Sequence, residues 1–208
     1  GPESLLALYG NVVPFICSNT RQYPDIFLQR AAALTLCKFM CISAEYCEAN
    51  LGLLLHLLRT SKDAVVRANA VIGLGDVAVC FGTLVDENSE RLYAGLGDKD
   101  LGVKKNTLMV LTHLILNGMI KVKGQLGELA KCLEDEEMRV SDLAKLFFSE
   151  LAAKENAVYN NLPDIISHLS TGEHAVDETT FMNTMRFIFT FIDKERQAEN
   201  VIEKLCQR

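Results

Sequence analysis

Apolar residues recur along this chain at the spacing of a helix face, and the faces themselves recur every 37 residues. Arg30, Arg67, Lys104 and Ser141 stand one such step apart, each at the head of an apolar run: QRAAALTLCKFM, VRANAVIGLGDV, VKKNTLMVLTHL and VSDLAKLFFSEL. Three residues on come Ala33, Ala70, Thr107 and Ala144, all small. Seven on come Cys37, Leu74, Leu111 and Phe148; ten on come Met40, Val77, Leu114 and Leu151. Offsets of three, seven and ten lie on one stripe of an α-helix. One further step reaches Glu178, where Phe181, Met185 and Ile188 continue the stripe.

Shorter amphipathic stretches fill the intervals: AEYCEANLGLLLHLL, ENSERLYAGL, VKGQLGELAKCLED, ENAVYNNLPDIISHLS and ERQAENVIEKLC. Each unit therefore reads as helix, turn, helix and short link, with no strand pattern. An isolated pair of this kind cannot cover its own apolar face, so stacking must supply the core. The pattern predicts an all-α fold, an α-solenoid of about five helix pairs, forming a single segment over residues 5–208. Units are expected near 5–42, 43–80, 81–117, 118–154 and 155–193, followed by a lone helix over 195–207. Residues 1–4 read as a leader. Gly1-Pro2 has the look of a protease-cleavage scar, and the chain is therefore expected to be an excised piece of something longer.

The step is a little shorter than the roughly 40–47 residues of HEAT and armadillo units. A tetratricopeptide array would step by about 34 and carry Trp; this chain has no Trp. The units resemble HEAT repeats, a family in which an Asp in the turn within the repeat, a Val five residues later and an adjacent basic residue build a ladder between units. Asp98, Val103 and Lys104 fit this in full. Val66 and Arg67 fit with Ser61 in the Asp place, and Asp135 and Val140 are followed by Ser141, where the ladder is expected to be weakest.

Gly73 and Gly75 invite a phosphate-loop reading. They fall in the middle of the unit's second helix, however, and a phosphate cradle needs free amides at a helix N-terminus. Close approach by a neighbouring helix is the expected offset to the cost of two helical glycines, about 1 kcal/mol each.

Composition narrows the classes. Apolar residues make up 49% and charged residues 23%, the proportions of a globular chain. The longest apolar stretches are interrupted before the roughly 18 residues that a membrane span needs, so no membrane partner is expected. A net charge of −6 argues against an autonomous nucleic-acid binder. The seven cysteines are odd in number and several lie in apolar runs, which points to buried thiols in a reducing compartment, cytoplasm or nucleus. Cys37, Cys41, Cys47 and His56 match no usual zinc spacing, and no metal or other cofactor is expected. His56, His113, His168 and His174 read as partly buried, hydrogen-bonded packing residues. G-x-S-x-G, H-E-x-x-H and Walker patterns are missing, so neither a catalytic residue nor a small-molecule substrate is assigned. The acidic run Glu134-Asp135-Glu136-Glu137 reads as a solvated helix start.

Charge is nevertheless uneven. Residues 99–131 hold six bases and two acids, whereas residues 132–178 hold three bases and eleven acids. Lys104, Lys105, Lys121 and Lys123 are the candidate contacts to double-stranded DNA or chromatin. Lys104 and Lys121 bracket one helix, about 25 Å apart at 1.5 Å per residue, too far for one compact patch. Two links are candidate protein-binding sites: Lys121, Lys123 and Gln125 at one unit junction, and Tyr159, Asn160, Asn161 and Asp164 around Pro163, where the helix is expected to kink or restart.

The stretches LCKFMCIS, THLILNGMIKVKGQLGELAKCLEDEE, LAKLFFSELAAKENAVYNNLPDIISHLS and VIEKLCQR carry a closer resemblance. They look like the C-terminal HEAT region of the D-type HEAT-repeat regulatory subunits of condensin, fungal forms being nearest, from about Phe27 to Arg208. The resemblance implies a non-enzymatic part of a chromosome-organising complex. Its partners would be the kleisin chain and the ATPase head of an SMC subunit. Its role would be to help control DNA entrapment in mitotic chromosome condensation, in the nucleus and on chromosomes with a cytoplasmic pool. Two other readings remain: a DNA-binding HEAT module acting through the 99–131 lysines, and a karyopherin-like adaptor.

Overall fold

In the computed structural model, residues 1–121, 126–154, 157–192 and 202–207 are described. They are helical with short turns, and no strand occurs among them. The chain divides into two compact units, Gly1–Lys121 and Val122–Arg208.

In the first unit the helices are α1 (Pro2–Tyr9), α2 (Val12–Ser18), α3 (Ile26–Met40), α4 (Ala44–Thr60), α5 (Ala64–Asp86), α6 (Ser89–Tyr93) and α7 (Leu101–Leu116). A 3-10 segment, Ala94–Gly97, extends α6. Side-chain caps start the long helices. Asp25, Ser43, Asp63 and Asp100 accept the N–H of Leu28, Tyr46, Val66 and Val103 at α3, α4, α5 and α7, each satisfying an amide that would otherwise lack a partner. The centre of the unit is α5, which packs on α3, α4 and α7.

By length and composition alone α5 could cross a membrane: 18 of its residues have a mean hydropathy of 1.7. This corrects the expectation that every apolar stretch is too short. One of its faces is instead covered by the three neighbouring helices, with Val66, Ala70, Val71, Leu74 and Val77 at most 3% exposed. The helix departs from helical angles at Phe81 (φ −139°, ψ 59°) before reaching Asp86.

The second unit holds α8 (Leu126–Lys131), α9 (Met138–Ala152), α10 (Ala157–Ser170) and α11 (Glu178–Thr190). A 3-10 segment, Cys132–Glu134, follows α8, and residues 202–206 are helical. Helix α10 packs on α8, α9 and α11. It runs unbroken through Pro163, so the helix does not restart there; the proline leaves the Tyr159 carbonyl without its helical donor. Most of the predicted lone helix, residues 195–201, lies outside the described residues.

The 37-residue stripe is the core. Ala33, Ala70, Thr107 and Ala144 are fully buried. Cys37, Leu74, Leu111, Phe148, Met40, Val77, Leu114 and Leu151 are all at most 4% exposed. The first helix of one unit, α6, is far shorter than a regular pair implies, at five residues, and the described part of α8 is Leu126–Lys131. Each tightens into a 3-10 turn, and each has a glycine pressed on a neighbour. A Cβ on Gly95 would run into the Thr107 hydroxyl, and one on Gly127 into the His168 ring.

Candidate interaction surfaces

The glycine pair in α5 is a contact, not a cradle. A Cβ at Gly73 would collide with Cys37 of α3, lying 2.7 Å from its Cβ and nearer still to its sulfur. At Gly75 it would stand 3.2 Å from Val110 Cγ1 of α7. The two bare positions let α5 approach a helix on either side.

An ion-pair ladder joins successive second helices. Arg30 of α3 donates from Nε and Nη2 to Asp63, at 2.7 and 3.0 Å. Arg67 of α5 donates in the same forked way to Asp98, at 2.9 and 3.1 Å, and from Nη1 to the Ser61 carbonyl at 2.8 Å. Sequence counting places Ser61 in the carboxylate position and passes over Asp63. Serine has no charge to offer, so the capping Asp63 pairs with Arg30 while also starting α5. One step later the duties are divided: Asp98 pairs and Asp100 caps. Arg30 hydrogen bonding holds the Asp63 carboxyl below its usual range. Burial pushes the Asp98 carboxyl up, but the bonds from Arg67 and the Asp100 N–H outweigh it and leave it low. Ser141, neutral where the others are basic, donates to the Met138 carbonyl at 3.0 Å.

The proposed contact residues are scattered. Lys104 and Lys105 are half-buried near the start of α7. Lys121 is exposed beyond its end, with its backbone N–H donating to Asp86 at 2.9 Å. Lys123 and Gln125 lie outside the described residues. On α10, Asn160 and Asp164 are exposed, and Asn161 donates to the Ala157 carbonyl at 2.8 Å. Asn160 and Asn161 line a shallow depression with Ala153, Lys154 and Ala157. Tyr159 is half-buried under the Lys204 ammonium, 4.7 Å from the ring centre, and lines a small cavity with Leu162, Pro163 and Leu205. Residues 202–207 thus cover part of the α10 face on which a contact was expected, although Ile202 itself is 64% exposed.

Three histidine readings need correction. His56, His113 and His174 are exposed rather than partly buried, because the first two point away from their helices' apolar stripes and the third sits in the turn after α10. His168 is half-buried and bonded to Glu128 at 2.7 Å. The thiols of Cys37 and Cys47 are buried, and burial pushes Cys37 up to about 12 and Cys47 upward.

A set of exposed apolar positions, two in the first unit and one in the second, escaped the sequence reading. Ile72, Met109 and Leu146, again 37 residues apart, are 43%, 54% and 56% exposed. They stand five residues after the aligned basic position, about 140° round the helix from it and across from the buried stripe. Leu34 and Val79 add exposed apolar area to α3 and α5. The available signal was a second apolar register, out of phase with the first.

Helix pairs with a stripe that repeats in step, ladder pairs and an apolar outer row define an α-solenoid of the HEAT and armadillo class. Solved structures share that fold: computationally designed armadillo repeat proteins for modular peptide recognition align with a TM-score of 0.51 at 17% identity, over 92% of this chain and 87% of theirs. A designed armadillo repeat protein in complex with peptide (KR)4 aligns with a TM-score of 0.52 at 15% identity, over 92% and 87%. The family model described as non-SMC mitotic condensation complex subunit 1 matches residues 65–208, and the chain belongs to that family. Condensin complex subunit 1 of Saccharomyces cerevisiae is 48% identical over the whole chain and 18% of the relative's length. The Homo sapiens protein of that name is 44% identical over 99% of the chain and 15% of its own length. Condensin-1 complex subunit CAP-D2 of Arabidopsis thaliana is 45% identical over 93% and 14%. The chain spans less than one fifth of the length of these relatives.

Proposed function

We propose that this segment is a non-catalytic HEAT-repeat scaffold of condensin, one continuous solenoid that holds the kleisin chain, the SMC ATPase head, or both. In that role it helps control DNA entrapment during mitotic chromosome condensation, in the nucleus and on chromosomes, with a cytoplasmic pool. The observation that carries the reading is the exposed apolar row. Ile72 and Met109 lie in a unit whose core is already closed, and exposed apolar residues in register are what an extended partner segment can cover. Lys121, Lys123 and Gln125 form one polar contact and Tyr159, Asn160, Asn161 and Asp164 another. Contact with double-stranded DNA through Lys104, Lys105, Lys121 and Lys123 is the subordinate part of the proposal.

The test is retention of purified kleisin and SMC-head fragments on the immobilised chain. Ile72→Glu/Met109→Glu should lose one of the two fragments by at least about tenfold in affinity, since a charge placed in an apolar contact costs more than 1.4 kcal/mol. Failure of the unaltered chain to retain either fragment ends the proposal. Retention that Ile72→Glu/Met109→Glu leaves unchanged moves the contact off this row.

A further inference from the structure

In the second unit three donor groups converge from separate places in the sequence. Glu128 lies on α8, His168 near the end of α10, and His174 in the turn that follows. Glu128 Oε1 stands 2.7 Å from His168 Nε2 and 3.3 Å from His174 Nδ1. All three donor atoms lie within 4.8 Å of one another. The two imidazoles are stacked, centroids 4.9 Å apart and planes inclined by 9°, so both present a nitrogen to the same carboxylate.

The surroundings build this arrangement. Gly127 leaves room for the His168 ring against α8, where a Cβ would stand 2.6 Å from Cγ. Gly172 takes φ +77°, a conformation that favours glycine, and the Val176 N–H donates back to the Leu169 carbonyl at 3.0 Å. The turn so closed sets His174 over His168.

We propose that Glu128, His168 and His174 form a binding site for a divalent transition-metal ion, Zn2+ being the ion that fits the donor set. Two imidazoles and one carboxylate are borderline ligands of the kind Zn2+ takes at about 2.0–2.2 Å. Tetrahedral bonds of that length put donor atoms about 3.3 Å apart. The two carboxylate–imidazole separations already present, 2.7 and 3.3 Å, lie near this value, and reorientation of the side chains about the ion completes the geometry. The sequence interval 132–178, which includes both histidines, carries eleven acids against three bases, a balance that favours a cation. Lys131 Nζ now holds Glu128 Oε1 at 3.1 Å. It is a half-exposed competitor on a flexible stem, and the ion displaces it into water. Three protein ligands leave a fourth position for water or for a side chain from a partner. The bound ion ties the α10–α11 turn to α8.

The test is calorimetric titration of Zn2+ into the chelator-treated chain carrying Cys80→Ser and Cys206→Ser, which removes its two exposed thiols as competitors. One equivalent should bind with micromolar affinity. His174→Ala and Glu128→Gln should each weaken binding by at least about tenfold. His174 is exposed, so its replacement leaves the packing intact, and circular dichroism verifies that. Co2+ should give the intense visible absorption of a tetrahedral ion in the parent and lose it in His174→Ala. Zn2+ should raise the melting temperature of the parent but not of His174→Ala. A parent with no one-equivalent site, or with equal affinity in His174→Ala, overturns the proposal.

Discussion

Gly73, Gly75 and Gly127 do their work by lacking a side chain, which is why composition alone reads them as weak points. At Gly73 even a methyl group meets Cys37. Gly75→Leu must push four carbons against Val110, and overpacking of that kind costs about 1–3 kcal/mol. Thermal unfolding of Gly75→Leu should therefore begin several degrees lower, and an unchanged melting temperature would mean that α5 and α7 can part freely. The sequence marked the α5 pair, since two glycines in a helical stripe need a compensating contact. It could not mark Gly127, whose partner His168 comes from another helix far along the chain. Glu128, His168 and His174 were illegible for the same reason: Glu128 and His168 are 40 residues apart, and only the packing of α10 on α8 makes them neighbours.

Helices are positioned here by caps and forks whose logic is partly written in the repeat. The buried stripe followed from counting, because a period of 37 superimposes small and large residues at fixed offsets. The ladder was half legible. Arg67 and Asp98 stood where the repeat puts them, whereas Asp63 replaced Ser61 two residues off register. Since Asp63 both caps α5 and binds Arg30, Asp63→Ala should cost more stability than Asp177→Ala, which removes a cap worth about 1 kcal/mol and an exposed bond from the Thr180 hydroxyl but no ion pair. Chemical denaturation of the two variants gives the comparison, and equal losses would leave Arg30 without an energetic role.

The same carboxylates set a pH dependence. Their folded pKa values lie below the usual one, so their stabilisation is present above the unfolded value of about 3.9 and is lost as pH falls through the folded value. The gap in melting temperature between the parent and Asp98→Asn should accordingly narrow from pH 7 to about pH 3. A constant gap would mean that Asp98 acts by shape rather than by charge.

Across the whole chain the net charge of −6 is not shared: Gly1–Lys121 carries eleven acids and eleven bases, and Val122–Arg208 carries sixteen and ten. Any DNA contact must rest on local lysines against an acidic second unit. Gel shifts should then show weak binding that falls steeply between low and moderate salt. Salt-insensitive binding would call for a contact other than phosphate. Fold class and family resemblance were legible at this scale because they rest on many residues in step. The outer row of Ile72, Met109 and Leu146 was not, because apolar residues in a helical run read as core until burial separates two faces.

Cys37 closes against Gly73 with its sulfur at the seam between α3 and α5. No alkylating reagent can reach that sulfur while the seam is shut, whereas Cys80 lies open to solvent on the same pair of helices. The ratio of their labelling rates is thus a built-in clock for breathing of the stack, and a partner that clamps α3 onto α5 would slow the one thiol without touching the other.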